Sequence, residues 1–264
     1  YALPVLALLA FIVRKSDTRS SRMRWMAFGA GLLLAPDMLS YHISMIFIGI
    51  GIATLIGNSQ VIIVTLVSWK LLGEKPNPAI LISLPVVMLG LVLISGIADA
   101  EPYGEDPVKG VMFGIFTAFC YSAFLIAFRY CNKDLAPVSS VQFDATAGAA
   151  IGLLVLGVLP LSRLAVEPVD FQPAWPGHGW LMLLALLSQV GGWLAVAYAL
   201  PRLPAAHTSF AILLQPVLTL VWGFLILNQD GHSTNQIIGI VLVLAAIISV
   251  TIYGSTTSDR AVAE

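Results

Sequence analysis

Three ionisable side chains lie together inside an apolar stretch of this sequence. Asp37 follows Pro36 near the middle of the run 25–47, and Tyr41 and His42 come four and five residues later. Residues four apart share one face of a helix, so the carboxylate and the phenol can point the same way. If such a run crosses a membrane, an ionisable group within it marks a functional site by default. Asp37 then either recognises a charged group or exchanges protons, or it accepts a hydrogen bond from a neighbouring helix, whereas His42 is expected to face the same lumen as Tyr41.

Amide and aromatic side chains add a second kind of chemistry. Asn58 and Gln60 interrupt one apolar run, and Gln215 takes the corresponding place in a later one. In lipid such groups need partners, so they either hydrogen-bond a substrate or join neighbouring helices. Aromatic rings would hold the apolar part of a ligand. The predicted lining residues are Tyr41, His42, Asn58, Gln60, Tyr121, Gln189, Trp193 and Gln215, with Asp37 and His42 as candidates for charge recognition or proton coupling.

The elements that must position these residues are membrane helices. The 264 residues are 58% hydrophobic and 10% charged, with a mean hydropathy of +0.92, which is too apolar for a soluble domain. About 20 apolar residues in a helix cross a bilayer, and the segments are too long and too uniformly apolar for barrel strands. The apolar runs cover 1–13, 25–47, 50–72, 79–97, 110–130, 139–160, 180–200, 207–228 and 235–253. The sequence therefore predicts an all-α polytopic membrane protein.

Basic residues indicate the orientation of these helices. Of 13 Lys and Arg, most fall in alternate gaps between the runs, including the segment 14–24, while the gap 99–109 is mainly acidic. Basic loops stay in the cytoplasm, so the C-terminus is predicted to be cytoplasmic and the loop 99–109 external. Tyr1 is then outside, and we expect one helix to precede the nine visible ones. Asp144 lies near the cytoplasmic end of its helix, which favours a structural or interfacial role.

An internal repeat gives the domain organisation. A shift of 155 residues places Gln60 on Gln215 and Glu74 on Gln229 without a gap, and each copy ends with a helix, a polar turn and a last apolar helix. Five helices per copy would make the two copies antiparallel, as in many transporters. The predicted boundaries are 1–98 for the first repeat, 99–109 for an external acidic loop, 110–254 for the second repeat and 255–264 for a cytoplasmic tail.

The two turns also carry a family resemblance. The sequences 72–76 (LGEKP) and 227–231 (LNQDG) between the last two helices of each copy resemble the drug/metabolite transporter superfamily, in particular its EamA-type ten-helix exporters. The segment 37–42 (DMLSYH) resembles, more narrowly, the aromatic amino acid exporters of that superfamily. The second turn has Gln229 where the motif has Glu. The resemblance implies ATP-independent efflux of amphipathic metabolites, amino acids especially, from the cytoplasm.

Other functional classes lack their residues. No Walker loop, H-E-x-x-H or G-x-S-x-G motif occurs, so neither an ATPase nor an enzyme is expected, and no metal or cofactor is predicted. A net charge of −1 without a basic stripe gives no reason to expect nucleic acid. The prediction is a monomeric, multi-pass exporter of aromatic or neutral amino acids in the bacterial inner membrane, working by alternating access through a central cavity, with a small-molecule substrate and membrane lipid as partners. The alternative is a proton-coupled multidrug exporter of hydrophobic cations that uses Asp37.

Overall fold

Helices make up most of the part of the protein that its structure describes. This computed structural model describes residues 1–95, 106–132, 136–158, 174–227 and 234–261. The helices are α1 (Ala2–Val13), α2 (Ser21–Asn58), α3 (Gln60–Leu72), α4 (Pro78–Ile94), α5 (Pro107–Cys131), α6 (Val138–Val158), α7 (Gly177–Leu184), α8 (Trp193–Ala199), α9 (Ala205–Ile212), α10 (Leu214–Leu227) and α11 (Thr234–Ala261). A π-helical segment, Ala185–Gly192, joins α7 to α8.

The nine predicted apolar runs fall on these helices wherever they are described. Within the described ranges, five helical stretches are long and apolar enough to cross a bilayer. The prediction of an all-α polytopic membrane protein is thereby confirmed. α11 continues to Ala261, into the segment 255–264 that was predicted as a tail. Most of the acidic loop 99–109 and of the second turn, 228–234, lies outside the described residues.

Local sequence signals explain where several helices begin. The Ser20 hydroxyl accepts a hydrogen bond from the Met23 backbone N–H at the start of α2. The Asn77 side chain accepts one from the Ala79 N–H at the start of α4, where Pro78 occupies the first helical position. Side-chain oxygens at such positions pair N–H groups that have no partner within the helix, and proline there loses nothing because it has no N–H.

The chain divides into two compact units that draw on both predicted repeats. Unit 1 contains Tyr1–Leu39 and Ala123–Leu203, and unit 2 contains Ser40–Ser122 and Pro204–Glu264. The first part of α2 and the second part of α5 belong to unit 1, and the remaining parts belong to unit 2. The repeat boundaries at 98 and 110 were predicted from sequence, and the compact units do not test them.

Close helix packing holds unit 1 together. In unit 1, α1 packs against α6, and α6 also packs against α2. A Cβ atom at Gly148 of α6 would overlap the Phe28 carbonyl of α2, and one at Gly152 would lie 2.6 Å from Ala35 Cβ. Lipid offers no hydrophobic drive for helix association, so small residues that allow close backbone approach are a main source of packing energy.

Unit 2 is built around a pair of helices from corresponding places in the two predicted repeats. In unit 2, α4 packs along α11, and an added Cβ at Gly239 would lie 2.6 Å from the Gly90 carbonyl oxygen. Buried Val87, Leu91 and Val243 belong to the core around this contact. α3 packs against α9 in the same unit.

Candidate functional site

The predicted site residues are distributed over both units. Asp37, Gln189 and Trp193 belong to unit 1. The other predicted lining residues belong to unit 2, namely Tyr41, His42, Asn58, Gln60, Tyr121 and Gln215. Each group is described within its own unit.

A tight bend in α2 brings Tyr41 against a second polar residue in unit 2. The backbone leaves the helical conformation at Gly49, where φ is 78° and ψ is 159°. The segments before and after this bend pack together, and the Tyr41 hydroxyl lies 2.7 Å from the Thr54 hydroxyl. A Cβ at Gly57 would lie 3.7 Å from the Tyr41 ring and 3.6 Å from Thr117 Cγ2. The half-buried phenol of Tyr41 thus lies beside the side chains of Thr54 and Thr117 within apolar helices.

Pro36 does not bend α2, and His42 and Tyr121 differ in their exposure. Pro36 stays within helix α2, so the departure from helical geometry comes at Gly49 and not at the proline. His42 is exposed, and its ring lies edge-on to that of Tyr41, with centroids 6.1 Å apart. Tyr121 of α5 is half-buried. The lining role of His42 and Tyr121 stays a prediction.

The polar triplet 58–60 coincides with an interruption between two helices. α2 ends at Asn58, α3 begins at Gln60, and Ser59 between them has φ −60° and ψ −10°. The Asn58 amide donates to the Thr54 carbonyl at 2.8 Å, and the Ser59 hydroxyl donates to the Ile56 carbonyl at 2.6 Å. Two of the three polar side chains are thus paired with the backbone of the preceding turn.

Gln60 differs from its two neighbours. Its side chain is 1% exposed, and neither Oε1 nor Nε2 has a hydrogen-bond partner among the described residues. A buried amide left unpaired costs about 1–3 kcal/mol. The Ser122 hydroxyl, 3.5 Å from the Gln60 backbone carbonyl, donates more closely to the Ala118 carbonyl at 2.6 Å. Gln60 is therefore a polar group held at a cost inside unit 2.

The second predicted repeat has an interruption at nearly the same place. α9 ends at Ile212, α10 begins at Leu214, and Leu213 between them has φ −64° and ψ −9°, close to the values at Ser59. Gln215, the repeat partner of Gln60, is exposed. No hydrogen bond joins the two glutamines, since the Gln60 amide has no partner in the described part of unit 2. The two positions that the predicted repeat pairs thus share a helix interruption, but only Gln60 is buried.

Aromatic rings form a cluster in unit 1. Trp193 meets Phe124 edge-to-face, with centroids 5.3 Å apart, and Phe124 stacks on Phe128 at 5.3 Å. Gln189, four residues before Trp193, is exposed and lies in the π-helical segment. Such segments are rare and occur frequently at functional sites. Asp37, also in unit 1, is 7% exposed within α2.

An ion-pair network explains Asp144. The Arg19 guanidinium lies 2.9 Å from both Asp17 and Asp144, and Arg24 lies 3.4 Å from Asp17. Arg19 and Asp17 are each 5% exposed, and Arg19 donates to both carboxylate oxygens of Asp17. This hydrogen bonding holds the pKa of Asp17, in the loop between α1 and α2, below its ordinary value. The network favours the structural interpretation of Asp144 over a ligand role.

A surface groove of about 580 Å³ lies apart from the predicted residues. Its lining comes from one face of α5 in unit 2, namely Lys109, Met112, Phe113, Ile115, Phe116 and Phe119. Most of these side chains are exposed, as expected of a helix face in contact with lipid.

In the described ranges, no three His, Cys, Asp or Glu side chains are grouped so as to hold a metal ion.

Three residues near the predicted set were missed from the sequence. Thr54, Thr117 and Ser122 lie around Tyr41 and Gln60, and Thr117 and Ser122 are buried. Thr54 precedes Asn58 by four residues, so helical periodicity would have placed the two on one face. Thr117 and Ser122 carried no such signal, because single hydroxyls are common in membrane helices and usually donate to their own backbone.

Comparison with known proteins identifies the family. The sequence pattern of the EamA-like transporter family matches residues 108–252, more than half of the chain. The chain belongs to the EamA-like transporter family. An uncharacterized transporter of Synechocystis sp. is 26% identical over 230 residues, which cover 84% of this chain and 65% of that protein. An uncharacterized transporter of Archaeoglobus fulgidus is 24% identical over 191 residues, or 72% of this chain and 63% of that protein.

A solved structure shares the fold of this chain. The structure, described only as "Crystal structure of protein", has a TM-score of 0.72 and 18% sequence identity, and the match covers 95% of this chain and 85% of that one. At this identity the likeness concerns the fold alone. This chain spans a little under two thirds of the length of each of the two uncharacterized transporters.

Proposed function

We propose that this EamA-like protein exports neutral, especially aromatic, amino acids and related amphipathic metabolites by alternating access. The observation that carries the proposal is the presence of polar side chains within the apolar helices of unit 2, namely the hydrogen-bonded pair Tyr41 and Thr54 and the unpaired amide of Gln60. Such groups are expensive in lipid unless they serve a substrate or a conformational change. Family membership supports transport over an enzymatic role.

The aromatic cluster of unit 1 supports an apolar substrate side chain. Phe124 and Phe128 are fully buried, and Trp193, half-buried against Phe124, is the ring of this cluster that can stack on an aromatic substrate or meet it edge-to-face. No Lys or Arg lies in the middle of any predicted membrane run, so a phosphorylated or strongly anionic substrate would lack a counter-charge. The proposed location is the bacterial inner membrane, with export directed from the cytoplasm.

Counterflow in proteoliposomes tests this function. Proteoliposomes that contain the purified full-length protein and are loaded with unlabelled phenylalanine should accumulate labelled phenylalanine transiently, and methyl viologen should compete weakly. Empty liposomes and liposomes with heat-inactivated protein are the controls. Absence of phenylalanine counterflow, with exchange of methyl viologen instead, would overturn the proposal.

One observation favours a second candidate, an exporter of hydrophobic cations. Asp37 is buried within α2, and a buried carboxylate is a natural counter-ion for a cation that has no hydration shell. In that case Asp37→Asn should abolish methyl viologen transport and spare phenylalanine transport. If phenylalanine flux is lost and viologen flux is kept, Asp37 is not the counter-ion.

The energy source is tested by the same preparation. Proton antiport requires Asp37 or His42 to change protonation during the cycle, whereas a facilitator needs no titrating residue. Flux is measured with and without an imposed pH gradient. Equal rates exclude obligatory proton exchange.

A further inference from the structure

The break between α2 and α3 holds one polar side chain that the protein itself does not satisfy. Asn58, Ser59 and Gln60 are consecutive, yet Asn58 and Ser59 each donate to a backbone carbonyl one turn earlier. The Gln60 amide is 1% exposed and has no partner at either atom among the described residues. Buried polar groups are nearly always paired, so an orphaned amide needs an explanation, and a polar group of a bound substrate is a partner that would satisfy it.

The backbone at this break favours an anion. α3 starts at Gln60 and runs for 13 residues, so the positive end of its dipole lies at its first turn. α2 ends at Asn58, and the Ile62 N–H donates to the Ser59 carbonyl at 3.0 Å, which leaves the other N–H groups of that turn for a ligand. N-terminal N–H groups and the helix dipole bind carboxylates and phosphates, and interrupted helices in transporters use this for anionic substrate groups. The amide Nε2 of Gln60, at the first helical position, adds a side-chain donor of the same polarity.

The basic side chain of α3 is distant from the break at 58–60, so α3 offers a ligand there only peptide and amide dipoles. Lys70 is the basic residue of α3, and it lies in the last turn. Ten residues of helix separate it from Gln60, a distance of about 15 Å. A single carboxylate on a molecule that is neutral overall suits such an environment better than a phosphate or a dicarboxylate, which needs a paired cation in lipid.

We propose that the break at 58–60 binds the carboxylate of an amphipathic substrate, with Gln60 Nε2 donating to it. This inference rests on the proposed amino acid export and adds the group that the protein recognises. It predicts that a free carboxylate is required, and that an aromatic amine without one is a poor ligand. The substrate's carboxylate replaces the missing hydrogen-bond partner of Gln60 when it is bound.

Binding of two half-substrates isolates the carboxylate. 3-Phenylpropionate carries the carboxylate without the ammonium group, and phenethylamine carries the ammonium group without the carboxylate. Affinities for detergent-solubilised full-length protein are measured by titration calorimetry. Wild-type protein should prefer 3-phenylpropionate, and Gln60→Leu should weaken its binding about tenfold, the loss expected for one hydrogen bond to a charged group, with phenethylamine unchanged.

Two further variants complete the test. Thr65→Val is the matched control, since Thr65 is equally buried on α3 and its hydroxyl donates to its own helix at Val61, 2.7 Å away; binding should not change. Gln60→Glu keeps the size of the side chain and should repel the carboxylate, so it decides the question if the leucine variant does not fold. Equal loss of both ligands in Gln60→Leu, or no loss in either Gln60 variant, overturns the inference.

The outcomes separate this inference from the proposed function. Gln60-dependent binding of 3-phenylpropionate without phenylalanine counterflow would retain the carboxylate site and reject amino acid export. Counterflow of phenylalanine with an unchanged ligand preference in the Gln60 variants would do the reverse.

Discussion

Arg19 contributes both to the predicted membrane orientation of the chain and to an ion-pair network in the structure. In the sequence it is one of the basic residues from which the segment 14–24 is predicted to be cytoplasmic. In the structure its guanidinium is buried between Asp17 and Asp144. A buried charge that loses its partner is strongly destabilising, whereas an exposed pair contributes little.

Arg19→Ala should therefore destabilise the protein far more than Arg24→Ala. The first change leaves Asp144 without its cation and Asp17 with only the longer contact to Arg24, and it should lower the free energy of unfolding by about 3 kcal/mol. The second removes a side chain that is 50% exposed and should have an effect below about 1 kcal/mol. Thermal unfolding of the purified variants in detergent measures both. Equal losses would show that the network does not stabilise unit 1.

The same network gives an expected pH dependence. Because hydrogen bonding by Arg19 lowers the pKa of Asp17 in the folded state, its stabilisation is present above the ordinary carboxyl pKa and is lost as pH falls through the lowered value. Wild-type protein should lose stability on going from pH 7 to about pH 3, and Asp17→Asn should lose less over that interval. Melting temperatures at both pH values provide the measurement; identical drops would exclude Asp17 as the titrating group.

At the scale of the element, the helices matter most where they are interrupted. The bend at Gly49 brings Tyr41 to Thr54, and the break at Ser59 places the Gln60 amide at a helix start. The π-helical segment Ala185–Gly192 precedes Trp193. Each interruption lies beside residues of the predicted site, so irregular backbone and polar chemistry occur together, as is usual where a membrane protein handles a substrate.

Gly49→Ala should destabilise the protein because of its backbone geometry. The combination of φ 78° and ψ 159° is open essentially to glycine alone, and another residue there costs about 1–3 kcal/mol. Gly29→Ala in the same helix is the control, since its added methyl group has no heavy atom within 4 Å and helix propensity favours alanine. We expect a lower melting temperature for the first variant and an equal or higher one for the second. The opposite order would mean that the bend is not required.

At the scale of the whole molecule, the compact units and the predicted repeats divide the chain differently. The repeats are consecutive halves, whereas unit 1 and unit 2 each combine segments from both halves. In unit 2, α4 and α11, which correspond to each other in the predicted repeat, pack together.

Accessibility labelling tests the antiparallel orientation of the repeats. Lys75→Cys reports on the exposed turn after α3, and Asp230→Cys reports on the corresponding turn of the second copy. An impermeant maleimide applied to right-side-out and inside-out vesicles should label them from opposite sides. The native Cys120 and Cys131 are both buried and should give a low background. Labelling of both positions from one side would reject the inverted repeat and, with it, alternating access.

The sequence alone was enough to predict the helical membrane fold and the apolar runs. Lipid satisfies no backbone groups, so long apolar segments have to be helices, and their lengths follow from the bilayer thickness. It also indicated the polar residues at membrane depth, among them Asp37, Tyr41 and Gln60, because such residues are conspicuous in apolar surroundings.

Only the tertiary structure decided which of these residues are paired. Asn58 and Gln60 look alike in the sequence, but one donates to its own helix and the other is buried without a partner. Gln60 and Gln215 are equivalent by the repeat, yet one is buried and the other exposed. In the sequence Asp144 has no evident partner, whereas in the structure Arg19, more than 100 residues earlier in the chain, lies beside it. Burial and pairing depend on contacts between distant segments, and hydropathy and helical periodicity contain no information on those contacts.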